Sequence, residues 1–183
     1  MSTTLKLSTD EYMQMAQTGA FDRLDRRIEL IHGEIRQMSP AGPIHTDVIR
    51  LLTEWSVLQL AGSDMTVIVQ SNVVIGDSQP EPDLAWITRQ NYRHHLPTND
   101  DIHLIIEVAH SSLDFDTGEK ANLYAQSGIP EYWVIDVQHQ QVLVHTTPTP
   151  KGYQQTTTTG ATSNLSPTCR PTTTLHLPNL FDI

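Results

Sequence analysis

Three residues of this chain combine suitable chemistry with positions beside apolar segments: Asp83, Glu107 and Lys120. Asp83 follows a proline at the mouth of a short apolar segment, which predicts a carboxylate at the start of a strand. Glu107 comes after a longer apolar run and should lie in a buried strand, where a carboxylate needs a partner such as a divalent cation. Adjacent strands would bring the two carboxylates side by side. Such hard oxygen ligands suit Mg²⁺ or Mn²⁺, so we expect Asp83 and Glu107 to hold a metal ion.

Lys120 is the third member of this predicted site. A helix expected to begin near Asp116 places Lys120 on one face with Leu123 and Tyr124, at the three- and four-residue spacings. If that face packs on the sheet, the ammonium group can extend to the two carboxylates. There it would orient an attacking water or neutralise charge in the transition state, which is the chemistry of metal-dependent phosphodiester hydrolysis.

Each of these assignments has a structural alternative. Asp83 could cap a turn, Glu107 could pair with a buried arginine or lie on an exposed strand face, and Lys120 could be a solvated helix residue. Two further residues are candidates for the site. Glu29 is either an additional acidic site residue or a surface charge on its strand. His45, at a helix start, either contacts phosphate or water or is a partly buried structural histidine.

The remaining polar and aromatic residues are expected to be structural. Asp114 and Asp116 could add charge around the site, but capping of the helix that carries Lys120 explains them sufficiently, and Asp136 would form a turn at the end of its strand. The tryptophans should fill the core or an interface rather than stack on bases: Trp55, Trp86 and Trp133.

The N-terminal part of the chain predicts a helix and a hairpin. Residues 8–11 have the spacing of a capping box, which indicates a short helix that ends near Gly19. Residues 27–38 are predicted to form two strands joined by a tight turn, because Gly33 supplies the positive φ that such a turn requires. The segment 39–43 contains prolines and glycine and is predicted to be a loop.

The rest of the chain predicts a mixed sheet with helices. Apolar residues recur every three or four positions from Ile44 to Leu60, which is typical of an amphipathic helix. Residues 65–75 are rich in β-branched side chains and should be extended. Residues 139–145 should form another hairpin. Further strands are expected at 84–87, 102–109 and 131–136.

Length and composition indicate one globular unit. At 183 residues, 38% hydrophobic and 17% charged, the chain should form a single domain over 1–183. Its core should span about 25–145, with 146–183 as peripheral threonine- and proline-rich strands and loops. We find no apolar run near the roughly 20 residues that cross a bilayer, no signal-peptide pattern and a single cysteine, so a cytoplasmic protein without membrane contact is expected.

The net charge of −10 limits the kinds of nucleic-acid protein that the chain can be. Phosphate-binding surfaces are usually basic, so this balance argues against tight, non-specific binding of duplexes without metal. Carboxylates of a metal site contribute to the same count, so a nuclease is not excluded.

In their order and spacing, these motifs resemble the PD-(D/E)XK nuclease superfamily and, within it, the bacterial Uma-type family of restriction-endonuclease-like proteins of unknown physiological role. The resemblance covers most of residues 25–137. It rests on Ile28-Glu29-Leu30-Ile31-His32-Gly33-Glu34-Ile35, Met38-Ser39-Pro40 with His45, Pro80-Glu81-Pro82-Asp83-Leu84-Ala85, Ile106-Glu107-Val108, Asp116 to Lys120 with Tyr124, and Gly128-Ile129-Pro130-Glu131-Tyr132-Trp133-Val134-Ile135-Asp136.

The resemblance implies an α/β fold with a restriction-endonuclease-like core, in which helices flank a central mixed β-sheet, plus an N-terminal helix and β-hairpin. It also implies Mg²⁺-dependent hydrolysis of DNA and a homodimer. One position departs from the superfamily pattern, because Ala109 stands where the lysine two residues after the strand carboxylate is usual. Within the Uma-type pattern, Lys120 takes the place of that lysine.

Two other functions remain open at this point. The nuclease fold could serve as a non-catalytic binding module, which the negative charge and Ala109 favour and the retained carboxylates disfavour. Alternatively, the chain could be a metal-dependent hydrolase of a phosphodiester that is not a nucleic acid, for which an acidic surface poses no difficulty.

Overall fold

The computed structural model describes residues 4–38 and 40–181. Ser39, in the predicted loop, and the first three residues of the segment considered for a signal peptide lie outside the described residues. In chain order the elements are α1 (Thr9–Gln17), β1 (Ile28–Ile31), β2 (Glu34–Gln37), α2 (Pro43–Leu60), β3 (Met65–Val69), β4 (Leu84–Thr88), a 3₁₀ turn (Asn99–Asp101), β5 (Ile102–Ala109), α3 (Leu113–Phe115), a π-helical turn (Asp116–Lys120), α4 (Ala121–Gln126), β6 (Glu131–Asp136), β7 (Gln141–Thr149), β8 (Gly152–Gly160), β9 (Asn164–Leu165), β10 (Leu175–His176) and α5 (Pro178–Phe181).

A mixed six-stranded sheet forms the centre of the molecule, with the strand order β3-β4-β5-β6-β7-β8. Neighbouring strands in this sheet are antiparallel except for β5 and β6, which are parallel. A parallel pair needs a long crossover connection, and the helical segment from α3 to α4 supplies it. The predicted α/β architecture, a mixed sheet flanked by helices, is therefore confirmed.

The N-terminal helix and hairpin form as the sequence predicts. The side chain of Ser8 accepts the backbone N–H of Glu11, and the Glu11 carboxylate accepts the backbone N–H of Ser8, which completes the capping box of α1. The hairpin β1–β2 turns at His32 and Gly33, both of which have positive φ, at 50° and 75°. Two successive residues with positive φ match the twist of antiparallel strands, so the turn fixes the hairpin register.

Two expected boundaries are wrong. The strand predicted over 65–75 ends at Val69, because Gln70 takes a φ of 44° and turns the chain out of the sheet. The helix expected to begin near Asp116 begins at Leu113, and its next turn is π-helical rather than α-helical.

Each face of the sheet is covered by its own apolar cluster. Helix α2 packs on one face, where Trp86 and Trp133 are fully buried and Trp55 stacks beside them, as expected for core tryptophans. Helix α4 packs on the other face, against side chains such as Ala109 and Tyr132. The candidate site described next includes residues at the end of this sheet.

Threonine-rich strand β8 is the edge strand next to β7. The apolar residues that follow it fold back over the α2 face and are buried there: Leu175, Leu177, Leu180 and Phe181. Within residues 4–38 and 40–181, the structure has no helix with the length and apolar character needed to cross a membrane.

Candidate active site

Asp83 and Glu107 lie side by side where β5 extends past the beginning of β4. Leu84, the first residue of β4, pairs with Ile106 of β5, so Asp83 lies opposite Glu107. The backbone N–H of Asp83 donates to Glu107 Oε2 at 3.1 Å, and the backbone N–H of Val108 donates to Asp83 Oδ2 at 2.9 Å. Both side chains are almost completely buried. The end of the ladder therefore fixes two carboxylates next to each other.

Lys120 reaches the same place from the helical crossover. Its Nζ lies 2.9 Å from Glu107 Oε1 and 3.2 Å from Glu29 Oε2, and only 4% of its side chain is exposed. The hydroxyl of Tyr124, one helical turn further on, donates to the same Glu107 Oε1 at 3.1 Å. The face shared by Lys120 and Tyr124 thus packs on the sheet, as the sequence predicts.

Ala109 explains how a lysine on the helix can replace one on the strand. Side chains two residues apart on a strand point to the same face, so Ala109 and Glu107 both face the helical crossover. Ala109 is buried in the apolar cluster that also contains residues of α4. Its small side chain is compatible with close packing of the crossover over β5, and Lys120 approaches Glu107 from that crossover.

Two more residues bind the oxygens of Asp83. His45, in the first turn of α2, places Nε2 3.1 Å from Asp83 Oδ2. Gln70 donates from Nε2 to Asp83 Oδ1 at 3.3 Å, and the turned backbone at Gln70 is what brings it there. His45 Nδ1 is buried and has no hydrogen-bond partner within the described part of the chain. Buried polar atoms of this kind usually have a partner, which can be an ordered water.

Glu29 connects the hairpin to the site. It lies on β1, is 2% exposed, and accepts the backbone N–H of Glu81 at 3.3 Å in addition to its ion pair with Lys120. Arg27 forms an ion pair with Glu81 beside it. The alternative of Glu29 as a surface strand charge is therefore wrong.

Asp116 lies in the candidate site, whereas the sequence interpretation preferred helix capping for it over added charge around the site. The helix begins at Leu113, so Asp116 does not cap it. Instead Asp116 is buried on the π-helical turn, and Ser112 Oγ lies 2.5 Å from its Oδ2. The spacing of four residues between Asp116 and Lys120 was the available signal, since it places the two on one face.

The five predicted site residues and Asp116 line a single cavity of about 460 Å³. The hairpin, the start of α2 and the helical crossover form its walls. The predicted residues that share this cavity are Glu29, Asp83, Glu107, Lys120 and His45.

The electrostatics of the cavity are dominated by excess negative charge. Four buried carboxylates, those of Glu29, Asp83, Glu107 and Asp116, line the cavity. Among the described residues, Lys120 is the only lysine or arginine that is buried. Burial raises the pKa of Glu107 to about 8 and that of Asp116 to about 6, in both cases against the opposing effect of Lys120. Further positive charge in the cavity would favour the ionised form of Glu107 at neutral pH.

The pKa values of Lys120 and Asp83 are shifted in opposite directions. Burial alone would lower the pKa of Lys120, but Glu107, Glu29 and Asp116 outweigh burial and the pKa is raised. Burial acts to raise the pKa of Asp83, yet its contacts with His45, Val108 and Gln70 together outweigh burial and the pKa is lowered. Asp83 is therefore ionised and Lys120 is charged across the physiological range.

The donor set fits a hard divalent cation with few protein ligands. Among residues 4–38 and 40–181, no group of three or more His, Cys, Asp and Glu side chains has the arrangement of a metal site. Mg²⁺, however, is commonly held by one or two carboxylates with water in its remaining positions. The adjacent carboxylates of Asp83 and Glu107, in a cavity short of positive charge, meet that requirement.

Comparisons with known proteins agree with this description. The Uma2 family model, described as "Putative restriction endonuclease", matches residues 9–177. Among solved structures, the chain is similar to one titled as a "putative nuclease belonging to DUF820" from Anabaena variabilis ATCC 29413. That match has a TM-score of 0.76 at 16% sequence identity and covers 98% of each chain, so it establishes a shared fold. No curated protein matches the chain.

Proposed function

The chain belongs to the Uma2 family, and from this membership we propose that it is a divalent-metal-dependent nuclease that hydrolyses phosphodiester bonds in DNA. The observation that carries the proposal is the contact among three residues at the end of the sheet. Asp83 donates its backbone N–H to Glu107, and Glu107 accepts from the ammonium group of Lys120. Two adjacent carboxylates and a lysine, buried together in one cavity, are the groups that metal-assisted phosphodiester hydrolysis requires.

In this proposal, Asp83 and Glu107 hold Mg²⁺ or Mn²⁺. When bound, such an ion lowers the pKa of a coordinated water and stabilises negative charge on phosphoryl oxygens. His45 and the backbone N–H of Val108 both bind Asp83 Oδ2 and orient that carboxylate. Groups that fix a ligand's orientation in this way contribute to metal affinity.

Lys120 acts in this proposal as a donor rather than as a base. Its raised pKa keeps the ammonium protonated at neutral pH, so it has no lone pair to accept a proton. Held between Glu107 and Glu29, its N–H groups would position the attacking water and offset charge as the phosphate is attacked. Glu107, Glu29 and Asp116 keep this ammonium charged, and Tyr124 donates to the same Glu107 oxygen that Lys120 contacts.

Cleavage of supercoiled plasmid and of single-stranded DNA tests the proposal. We expect the wild type to nick plasmid in Mg²⁺ or Mn²⁺ but not in EDTA. The cleavage rate should fall at least about 100-fold in Asp83→Asn and in Lys120→Met. Asp114→Asn and Lys151→Met make the same chemical changes outside the cavity and should leave the rate unchanged. Metal-dependent nicking that survives Asp83→Asn would contradict the proposal.

A phosphodiester other than DNA is a second candidate, favoured by the net charge of −10. Hydrolysis of bis(4-nitrophenyl) phosphate with the same metal and variant dependence, but no cleavage of any DNA, would select this candidate. Absence of metal binding by the wild-type protein would contradict both and leave a non-catalytic binding module.

A further inference from the structure

Arg36 is placed at the cavity by the register of the β1–β2 hairpin. It lies directly opposite Glu29 in the antiparallel pair, so the two side chains share one face of the hairpin. Glu29 contacts Lys120 in the site, and Arg36 lines the same cavity. Unlike Lys120, Arg36 has a side chain that is 40% exposed, so solutes can reach it.

The guanidinium of Arg36 is only partly engaged. Nη2 makes both of its ion pairs, with Glu119 Oε1 at 3.0 Å and with Glu34 Oε2 at 3.1 Å. Nε is buried and has no hydrogen-bond partner among the described residues. An arginine binds a phosphate best when two neighbouring N–H groups donate to two oxygens. Along the edge formed by Nε and Nη2, Nη2 is therefore paired with carboxylates, whereas Nε is an unpaired donor that is shielded from solvent while these pairs are in place.

The other lysine and arginine of the cavity, Lys120 and Arg27, have carboxylate partners that are less exposed than those of Arg36. Lys120 is held by two buried carboxylates, and Arg27 is paired with Glu81. An incoming phosphodiester carries negative charge into a cavity with four buried carboxylates, so it needs a cation that can change partner. Arg36 meets this need, because its partners Glu34 and Glu119 are partly exposed, at 37% and 34% of the side chain, and ion pairs near the surface are weak.

We propose that Arg36 binds the non-bridging oxygens of the substrate phosphodiester at the cavity, and that Glu119 occupies Arg36 until the substrate displaces it. The inference rests on the proposed phosphodiesterase function. Glu119 precedes Lys120 on the π-helical turn, so its pair with Arg36 joins the hairpin to the segment that carries the lysine. Substrate binding exchanges this contact for one between Arg36 and phosphate.

The test is binding of a fluorescein-labelled single-stranded oligodeoxynucleotide in Ca²⁺, followed by anisotropy over a range of salt concentrations. Arg36→Gln should raise the Kd about 10- to 100-fold, the range for a lost charge-assisted contact. For this variant, the slope of log affinity against log salt concentration should become shallower by about 0.7, which corresponds to the loss of one phosphate contact. Glu119→Gln should lower the Kd by about two- to fivefold, since it removes a competing surface ion pair.

Matched controls come from α2, where Arg50 pairs with Asp47 and Glu54 outside the cavity. Arg50→Gln and Glu54→Gln repeat the two charge changes and should leave the Kd within about twofold. Circular dichroism checks that each variant is folded. If Arg36→Gln does not fold, Arg36→Lys is the alternative variant. It keeps the positive charge but lacks the paired N–H donors of the guanidinium, and it should still weaken DNA binding.

The outcomes separate the inference from the function on which it rests. If the wild type binds and cleaves DNA while Arg36→Gln binds like Arg50→Gln, the inference is overturned and the nuclease stands. A Kd that rises in Glu119→Gln as it does in Arg36→Gln also overturns the inference, because Glu119 would then support binding rather than compete with it. If the wild type neither binds nor cleaves DNA, the proposed function and the inference fail together.

Discussion

Replacing Asp116 by asparagine should stabilise the metal-free protein at neutral pH but not at acidic pH. Asp116 is buried among three other carboxylates, and burial raises its pKa from an ordinary 3.8 to about 6. A carboxyl group with a raised pKa contributes stability that is present below about pH 3.8 and lost as the pH rises through 6. Above pH 6 the folded state therefore carries an ionisation cost that the unfolded chain does not.

The size of the effect follows from the shift. Each pKa unit corresponds to about 1.4 kcal/mol, so ionising Asp116 in the fold costs on the order of 2–3 kcal/mol. Asparagine has nearly the same shape, and the Ser112 hydroxyl next to it can donate to the amide oxygen. We expect Asp116→Asn to match the wild type at pH 4 and to exceed it by about 2–3 kcal/mol at pH 7.5, or about 5–10 °C in Tm.

Urea unfolding in EDTA at pH 4, 5, 6 and 7.5 is the assay. Asp114→Asn is the matched control, because it removes the same charge from the exposed face of the same helical segment. The stability curves of Asp116→Asn and wild type should diverge between pH 4 and 6, whereas that of the control should run parallel to the wild type. Parallel curves for Asp116→Asn would refute the excess of negative charge on which the argument for a metal ion depends.

Three further predictions concern the metal, the buried lysine and the N-terminal cap. Mn²⁺ should raise the Tm of the wild type in proportion to log[Mn²⁺] once the site is saturated, and differential scanning fluorimetry should show no such rise for Asp83→Asn. Lys120→Met should lower the free energy of unfolding of the metal-free protein in urea at pH 7.5 by about 3–5 kcal/mol, because it leaves buried carboxylates uncompensated. As a control, Lys151→Met at an exposed position should change the free energy of unfolding by less than about 0.5 kcal/mol. Stabilisation by Lys120→Met would contradict the ion-pair geometry. Ser8→Ala should cost about 1 kcal/mol, or far less if the capping box of α1 does not form in solution.

Local sequence signals were sufficient for most of the fold. The capping box, the turn at Gly33 and the three- and four-residue periodicity of α2 each specify structure through interactions within a few residues. The order of apolar strands with one helical crossover then limits the sheet to a small number of arrangements. The resemblance of the motifs to a nuclease family selected among these.

The parts that the sequence did not predict depend on contacts between distant residues. The end of β3 is set by Gln70, whose turned backbone allows its amide to reach Asp83. The early start of the crossover helix and its π-helical turn place Asp116 and Lys120 in the cavity. The contacts that connect these features to the site join side chains on different elements, such as Gln70 with Asp83 and Lys120 with Glu107, so the sequence alone did not locate them.

In the candidate site, too, local sequence signals predict some residues, whereas tertiary packing decides the position of others. Asp83 and Glu107 could be predicted because each stands at the end of an apolar strand, where a buried charge demands compensation. Glu29 and His45 were ambiguous from sequence, since the hairpin and α2 reach the site only through tertiary packing. Arg36 was not a candidate at all, because its position depends on the hairpin register opposite Glu29.

The most direct test of the central claim is where a divalent cation binds. In crystals soaked with Mn²⁺, anomalous difference maps should show a peak about 2.0–2.3 Å from one carboxylate oxygen of Asp83 and one of Glu107, with water at other positions. The same soak of Asp83→Asn should show no peak there. A wild-type crystal with no peak between these two carboxylates, or with Mn²⁺ bound only elsewhere, would contradict the assignment of a metal-dependent site to this cavity.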